Sequence, residues 1–372
     1  MGIGYEIDFL PVGPESKTGD AITLRFGNLL EGKREEQAVI VIDGGFKDDG
    51  QRIVNHVRKY YDGTDTIDLV IATHPHEDHI AGLQTVLTEM QVQEFWMHKP
   101  WDESHTNNIS RWFVDGRVTD ESVSTALKKS LDTARDLEKI ADEKGIPIIE
   151  PFAGIYKDFG LGRIDIAGPT KEYYESLLPS FAATPEPKGA LASLMARGAE
   201  MVVEAVSKVF ESWDKETLDD TGETSAENNS GAITLLRVAD KQLVFTGDAG
   251  IPALTNGVDL LEACNITHAD CSFIQVPHHG SKRCVGPTLL NRLVGPRLPE
   301  EKKSTKKMSA FCSCAVNGAP KHPSKKVTNA FMRRGAPVCP THVKSIRRYH
   351  RAPHRDDYSA MEPLPFYDEV EE

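Results

Sequence analysis

The chain has 372 residues, 39% apolar and 27% charged, which excludes a disordered or fibrous protein and allows a sizeable core. No run approaches the ~18 to 20 apolar residues that cross a bilayer, so no membrane role is expected. Met1–Leu10 lacks the basic start and long apolar run of a signal peptide, and a cytoplasmic location is the expectation. The net charge is −13, yet from Lys282 to Arg355 nine Lys and nine Arg face only Glu300 and Glu301. That segment carries +16 and leaves −29 on the rest, a segregation that predicts a surface meeting a polyanion.

In chain order, Ala21–Phe26 and Ala38–Ile42 are β-rich runs, the second ending in Asp43-Gly44-Gly45, and Val54–Tyr60 reads as a helix. Thr66–Ala72 is a nearly continuous apolar strand of the kind buried on both faces, and it delivers Thr73-His74 at its C-terminal end. Glu121–Lys144 has helical composition and stops at Gly145, a C-cap signal. Gly162–Pro169 is a strand closed by a turn. Glu172–Asp219 is rich in Ala, Leu, Lys and Glu and is expected to form a largely helical insertion, spanning about 171–225, that offers a docking surface for a protein partner. Strands resume with Ala232–Val238, the turn Ala239-Asp240-Lys241 and Gln242–Thr246, a hairpin ending on Gly247-Asp248. Ser272–Val276 then ends on Pro277-His278-His279-Gly280-Ser281. Residues 1–355 are expected to form one domain, with an acidic tail over 356–372. The six cysteines, including the pair Cys312 and Cys314, contain no C-x-x-C and supply no disulfide framework.

Three separate strands thus deliver His or Asp at their C-terminal ends, where loops collect functional groups. In His74-x-His76-x-Asp78-His79 four metal-ligand types lie within six residues. The H-x-H spacing sends both imidazoles to one side, and the following turn swings Asp78 and His79 toward a second ion. Imidazole and carboxylate suit zinc, manganese or iron rather than a thiolate site. Asp248 is the natural bridging carboxylate, with His279 completing the second ion's ligands. Adjacent side chains on an extended segment point opposite ways, so only one of His278 and His279 is expected to face the ions. His278 is then left to replace its neighbour or to contact phosphate.

These residues resemble a known family. Thr73–Gly82 (THPHEDHIAG), Phe245–Asp248 (FTGD) and Val276–Ser281 (VPHHGS) are similar to motifs of the metallo-β-lactamase fold hydrolases. More narrowly they resemble the hydrolase domain of the DNA-uptake protein ComEC and its free-standing relatives. Gly19-Asp20-Ala21-Ile22, Ile42-Asp43-Gly44-Gly45, Asn228-Asn229-Ser230, Asn317 and Lys321-His322-Pro323 add weaker matches in the same order. The resemblance covers roughly 1–100 and 150–340 and implies an α/β fold, the αββα sandwich, interrupted by the helical insertion. It also departs: those domains often carry Asp where this chain has His76, and Asn229-Ser230 stands where better-known members have a third-motif histidine. His98 and His105 are the substitutes the sequence offers.

The expected cofactors are two divalent ions, Zn or Mn, activating a water. Asp78 and Asp248 orient that water and accept its proton, while Lys282 and His322 offset charge on phosphate oxygens. A basic segment beside such a site favours a nuclease or phosphodiesterase acting on DNA more than RNA. The alternatives are a hydrolase of cyclic nucleotides, lactones or thioesters, and a partner-controlled effector of a multi-protein system.

Overall fold

In a computed structural model, which describes residues 2–13, 16–182, 184, 208–318, 322–342 and 344–371, the β-rich runs assemble into two seven-stranded sheets. Strands are numbered in chain order. The first sheet runs β17 (Ile346–His350), β1 (Gly4–Phe9), β2 (Ala21–Gly27), β3 (Gln37–Gly44), β5 (Leu69–Ile71), β7 (Phe95–Trp96) and β8 (Ile148–Ile149). The second runs β16 (Val338–Pro340), β15 (Ser309–Cys312), β14 (Cys271–Gln275), β13 (Lys241–Phe245), β12 (Ile233–Val238), β10 (Arg163–Gly168) and β9 (Tyr156–Asp158). Two short pairs stand apart: β4 (Thr66–Ile67) with β6 (Gln91–Val92), and β11 (Lys208–Phe210) with β18 (Glu369–Glu371).

The period-two alternation of each strand explains why both faces are covered. Along β3, Ala38, Ile40 and Ile42 point into the core between the sheets, while Val39 and Val41 point out under a helical layer. Along β12, Leu236 and Val238 face inward, and Ile233 and Leu235 face the opposite helices. The outer layer of the first sheet contains helices Asp49–Tyr60, Leu83–Glu89, Asp120–Ser130 and Asp132–Lys144. Helices Ile251–Ala263, Pro287–Leu293 and Lys325–Arg333 cover the second. The result is a helix–sheet–sheet–helix sandwich, the fold implied by the motifs. Phe9, Phe273 and Phe311 pack edge to face at its centre, with ring centroids 5.1–5.9 Å apart.

Several sequence expectations land on different backbone. The Thr66–Ala72 run is broken at Asp68, whose Oδ2 accepts from Val39 N–H at 2.7 Å and from Arg34 Nη2 at 2.7 Å. The expected single helix over Glu121–Lys144 divides at Leu131, though Gly145 caps it in the left-handed region (φ 66°) as its position suggested. The hairpin turn is also as read, with Ala239 and Asp240 both at positive φ. Of the insertion, a helix at Lys171–Leu177 and the strand β11 are described; residues 185–207, where much of the helical expectation falls, lie outside the described residues, as does Lys321. The acidic end does not hang free: β18 pairs with β11, and Tyr367 N–H donates to Asn329 Oδ1 at 2.9 Å.

The basic segment is where the sequence expectation needs most correction. Arg333 and Arg334 are fully buried and paired with Glu211 and Glu216 at 3.0 and 2.8 Å. Arg347 and Arg355 are buried against Glu6, and Arg355 also reaches Asp8 at 2.8 Å. Arg292 is held by Asp259 and Glu262. These five of the segment's eighteen cations therefore meet acidic residues from elsewhere in the chain, because isolated charges cannot be buried cheaply. Arg283, Lys302, Lys303, Lys306, Lys307, Lys344 and Arg351 are exposed. Arg333→Ala removes the cation beside the buried Glu211 carboxylate and is expected to lower the unfolding free energy by about 3–5 kcal/mol. Urea denaturation checks this; a loss under about 1 kcal/mol would show that the pair is not structural.

Candidate metal centre

Parallel pairing brings the informative strand ends to one edge. β3 and β5 run parallel with Ile42 beside Ile71, and β13, β14 and β15 run parallel in the other sheet. Their C-terminal ends therefore open together, where one backbone bond joins the two sheets and others tie loops within each sheet. Ala232 N–H donates to Thr73 O at 2.9 Å, and His278 N–H donates to Gly247 O at 3.0 Å. Asp20 N–H donates to Asp78 O at 3.2 Å. Gly82 can lie against β3 only because it lacks a Cβ, which would sit 2.0 Å from Gly44 O.

On this frame His74, His76, Asp78, His79, Asp248, His278 and His279 come together. His74 Nε2 lies 3.1 Å from His76 Nδ1, so the H-x-H spacing does direct both rings to one side. The helical turn Glu77–Ile80 then turns His79 inward, with Nε2 3.4 Å from Asp248 Oδ2 and 3.9 Å from Asp78 Oδ2. His279 Nε2 lies 3.6 Å from Asp248 Oδ1 and 3.9 Å from Asp78 Oδ2. Asp78, His79 and His279 offer ligand atoms all within 4.8 Å of one another.

The expectation that only one of His278 and His279 faces this centre is overturned. They are not on extended backbone: both adopt left-handed conformations, with φ 45° and 53°. The turn rotates His278 Nε2 to 3.5 Å from Asp248 Oδ2, while His279 takes Oδ1. Asp43 is also left-handed (φ 56°). Such non-glycine residues cost about 1–3 kcal/mol each and persist where the surroundings over-determine them.

His98 and His105 do not join the cluster. His105 is held by Glu150 at 2.9 Å and Glu175 at 3.1 Å, and His98 stacks on Tyr174 with centroids 4.4 Å apart. Burial pushes His98 down to about 3. His322 stands at the rim, its ring centroid 6.4 Å from His278. Burial first, then His279 and His278, push it down to about 3, so it is a neutral hydrogen-bonding group at pH 7 rather than the expected cation. Lys282 lies within electrostatic reach of Asp219, where it adds to the hydrogen bonds from Thr221.

Two carboxylates read from sequence only as parts of a turn and a strand start prove central. Asp43 accepts from Thr73 N–H (2.8 Å), Thr73 Oγ1 (2.6 Å) and His79 Nδ1 (2.8 Å). It thereby fixes which His79 nitrogen faces the centre, the way a carboxylate orients a ligating imidazole. Asp20 accepts from Gln275 Nε2 at 2.8 Å and lies 3.6 Å from His79 Nδ1. The sequence signal for both was an Asp placed against a strand end beside glycine.

The electrostatics are those of a site short of positive charge. Burial would lower His79, but Asp248, Asp78 and Asp43 outweigh it and raise it well above the usual imidazole value. Burial would raise Asp248, yet His278, His279 and His79 hold it well below the usual carboxylate range. Burial, then His79 and His76, push His74 well down. Among the described residues, His79 Nε2, His279 Nε2 and Asp248 Oδ1 are buried with no hydrogen-bond partner. Unpartnered buried polar atoms cost about 1–3 kcal/mol each. Nitrogen and carboxylate donors converging in this way fit borderline divalent cations.

Part of the chain is similar to a known family. Residues 29–116 match the family model described as the Metallo-beta-lactamase superfamily, a span that contains the His74–His79 cluster. No curated protein matches the chain. Among solved structures, the metallo-beta-lactamase fold protein YhfI from Bacillus subtilis is 8% identical, with TM-score 0.44, covering 93% of this chain and 100% of its own. The diiron beta-hydroxylase CmlA from Streptomyces venezuelae is 11% identical, with TM-score 0.42 and coverage of 93% and 54%. MEM-A1, a subclass B3 metallo-beta-lactamase from a soil metagenome library, is 12% identical, with TM-score 0.31 and coverage of 73% and 83%. Residues 29–116 are thus similar to the metallo-β-lactamase superfamily, and the described residues fold as an αββα sandwich.

An ion that binds only the folded chain stabilises it by about 2.7 kcal/mol at a hundredfold excess over Kd. Thermal melts with Zn²⁺ or Mn²⁺ against EDTA are therefore expected to show a clear rise in Tm. Coincident melts would contradict a metal centre here.

Proposed function

We propose that this protein is a metal-dependent hydrolase of phosphodiesters, with DNA as the preferred substrate. The observation that carries the hydrolase reading is the convergence of imidazoles on both oxygens of Asp248, with buried nitrogens left unpartnered. His74 and His76 would hold one ion, and Asp78, His79 and His279 a second, with Asp248 shared. Two bound divalent ions, Zn or Mn, supply a water acidic enough to be deprotonated near neutrality and a clamp for the attacked group.

The protein's own groups divide the remaining work. The Asp248 side chain is 3% exposed and surrounded by imidazoles, so its task is to hold charge in place. The Asp78 side chain is 29% exposed and is the carboxylate with access to solvent, which suits it to accept the water's proton and pass it out. Asp43 keeps His79 in one tautomer. Lys282, three residues after His279, is the cation we assign to phosphate, with neutral His322 as a hydrogen-bond partner at the rim.

The phosphodiester reading is supported by the likeness of Thr73–Gly82, Phe245–Asp248 and Val276–Ser281 to the ComEC hydrolase domain. The basic segment supports it less than its charge count suggests, since its buried arginines are structural. Metal-loaded protein is expected to degrade linear DNA, with Asp248→Ala and His76→Ala falling below about 1% of wild type. The binding slope in log salt should reflect only a few phosphates, not the ten or so that the charge count would allow. Intact DNA and RNA alongside turnover of a lactone or thioester by the same preparation would refute the assignment.

A further inference from the structure

We infer that His278 supplies the imidazole missing from the third motif, completing the first ion's ligands with His74 and His76, and that Asn228, Thr224 and Cys284 position it. This rests on the two-ion reading above and specifies it.

The third-motif place in the chain cannot do the job itself. Asn229 is committed to backbone: its Oδ1 accepts from Gly250 N–H at 3.2 Å, and its Nδ2 donates to the Ser225 and Thr224 carbonyls at 3.2 and 3.4 Å. His98 and His105 are engaged elsewhere. His278, by contrast, approaches the oxygen of Asp248 that His74 approaches, at 3.5 Å against 3.9 Å, and His79 reaches the same oxygen at 3.4 Å from the second ion's side. His279 takes the other oxygen, at 3.6 Å. Two neighbours in sequence therefore split the shared carboxylate between them. The left-handed turn makes this possible, and Gly280 at φ 83° closes it with Pro323 packed where a Cβ would stand.

The far side of the ring is equipped for the same role. An imidazole that binds an ion through Nε2 is neutral and carries its proton on Nδ1, so it needs an acceptor there. His278 Nδ1 lies 3.0 Å from Cys284 Sγ, 3.3 Å from Asn228 Nδ2 and 3.4 Å from Thr224 Oγ1. The sulfur and the hydroxyl both accept. A half-turn of the Asn228 amide would bring Oδ1, which is buried without a partner, against the same proton. In that orientation the Thr224 hydroxyl, 2.7 Å away, donates to the same amide oxygen, which keeps these groups tied together. Asn228 and Cys284 are buried, so water does not compete for these partners behind the ring. Contacts of this kind fix the tautomer and orientation of a ligating histidine. The asparagine thus acts behind the centre, holding the histidine that replaces the missing one.

The test is ion counting on the full-length protein, stripped of metal and titrated with Zn²⁺, with bound metal measured by mass spectrometry and affinities by calorimetry. Wild type is expected to take two ions per chain. His278→Ala and His76→Ala should each take one, and the double variant should still take one, because both residues serve the same ion. Asn228→Leu should take two, with the weaker affinity reduced about 10–100-fold. His278→Ala retaining two ions at wild-type affinity would overturn the inference while leaving the two-ion reading intact. A wild-type count below two would instead bring down the two-ion reading and this inference with it. Should His278→Ala fail to fold, Asn228→Leu decides: unchanged affinities for both ions overturn the positioning role.

Discussion

Seven ionisable side chains converge on one small volume at the open edge of the sandwich, five imidazoles and two carboxylates, most of them buried. In water each would be solvated. Here His79 Nε2, His279 Nε2 and Asp248 Oδ1 are shielded from solvent and have no hydrogen-bond partner among the described residues, a destabilising arrangement unless something positively charged is shared among them. The remainder of the molecule is organised to keep that concentration of donors in place. Asp43 and Asp20 sit behind His79, Ser313 O accepts from His279 Nδ1 at 3.1 Å, and Cys284 and Asn228 back His278.

Placing them there requires the parallel halves of both sheets to end together. β5 ends before His74, β13 before Asp248 and β14 before His278; the backbone bond from Ala232 to Thr73 and the side-chain bond from Gln275 to Asp20 lock these ends across the sandwich, and the backbone bond from His278 to Gly247 ties β14 to β13. The three apolar layers set the distance between the sheets, so that loops from different sheets meet within hydrogen-bonding range. Stability and function are thus linked through the layer spacing: repacking around Phe9, Phe273 and Phe311 would move one ligand loop relative to the other.

Much of this was legible because the signals are local. A strand covered on both faces reads as an apolar run, which is why Ala38–Ile42, Ala232–Val238 and Ser272–Val276 were recognisable. The His74–His79 cluster lies within one loop and one helical turn, so spacing alone conveys its geometry. What was not legible depends on distant partners or on backbone that side-chain type does not announce. Nothing in Pro277-His278-His279-Gly280 signals that two histidines will adopt positive φ, and the assumption of extended backbone therefore turned His278 away. Asp68 broke its strand because Arg34 and Val39 needed an acceptor. Arg333 and Arg334 looked like a basic surface until Glu211 and Glu216, more than a hundred residues earlier, were seen to bury them.

That last point reshapes the functional account. A charge count places a polyanion on the segment from Lys282 to Arg355, whereas the pairing leaves only part of it open to solvent. Under the proposed function, substrate choice rests more on the ligand cluster, Lys282 and His322 than on a broad basic wall. The most direct test of the two-ion centre is a crystal structure of the Zn- or Mn-loaded protein, with anomalous maps collected at the metal edge. The account predicts two peaks about 3.5–4 Å apart on either side of the Asp248 carboxylate. A single peak, or none within reach of Asp248, would contradict it.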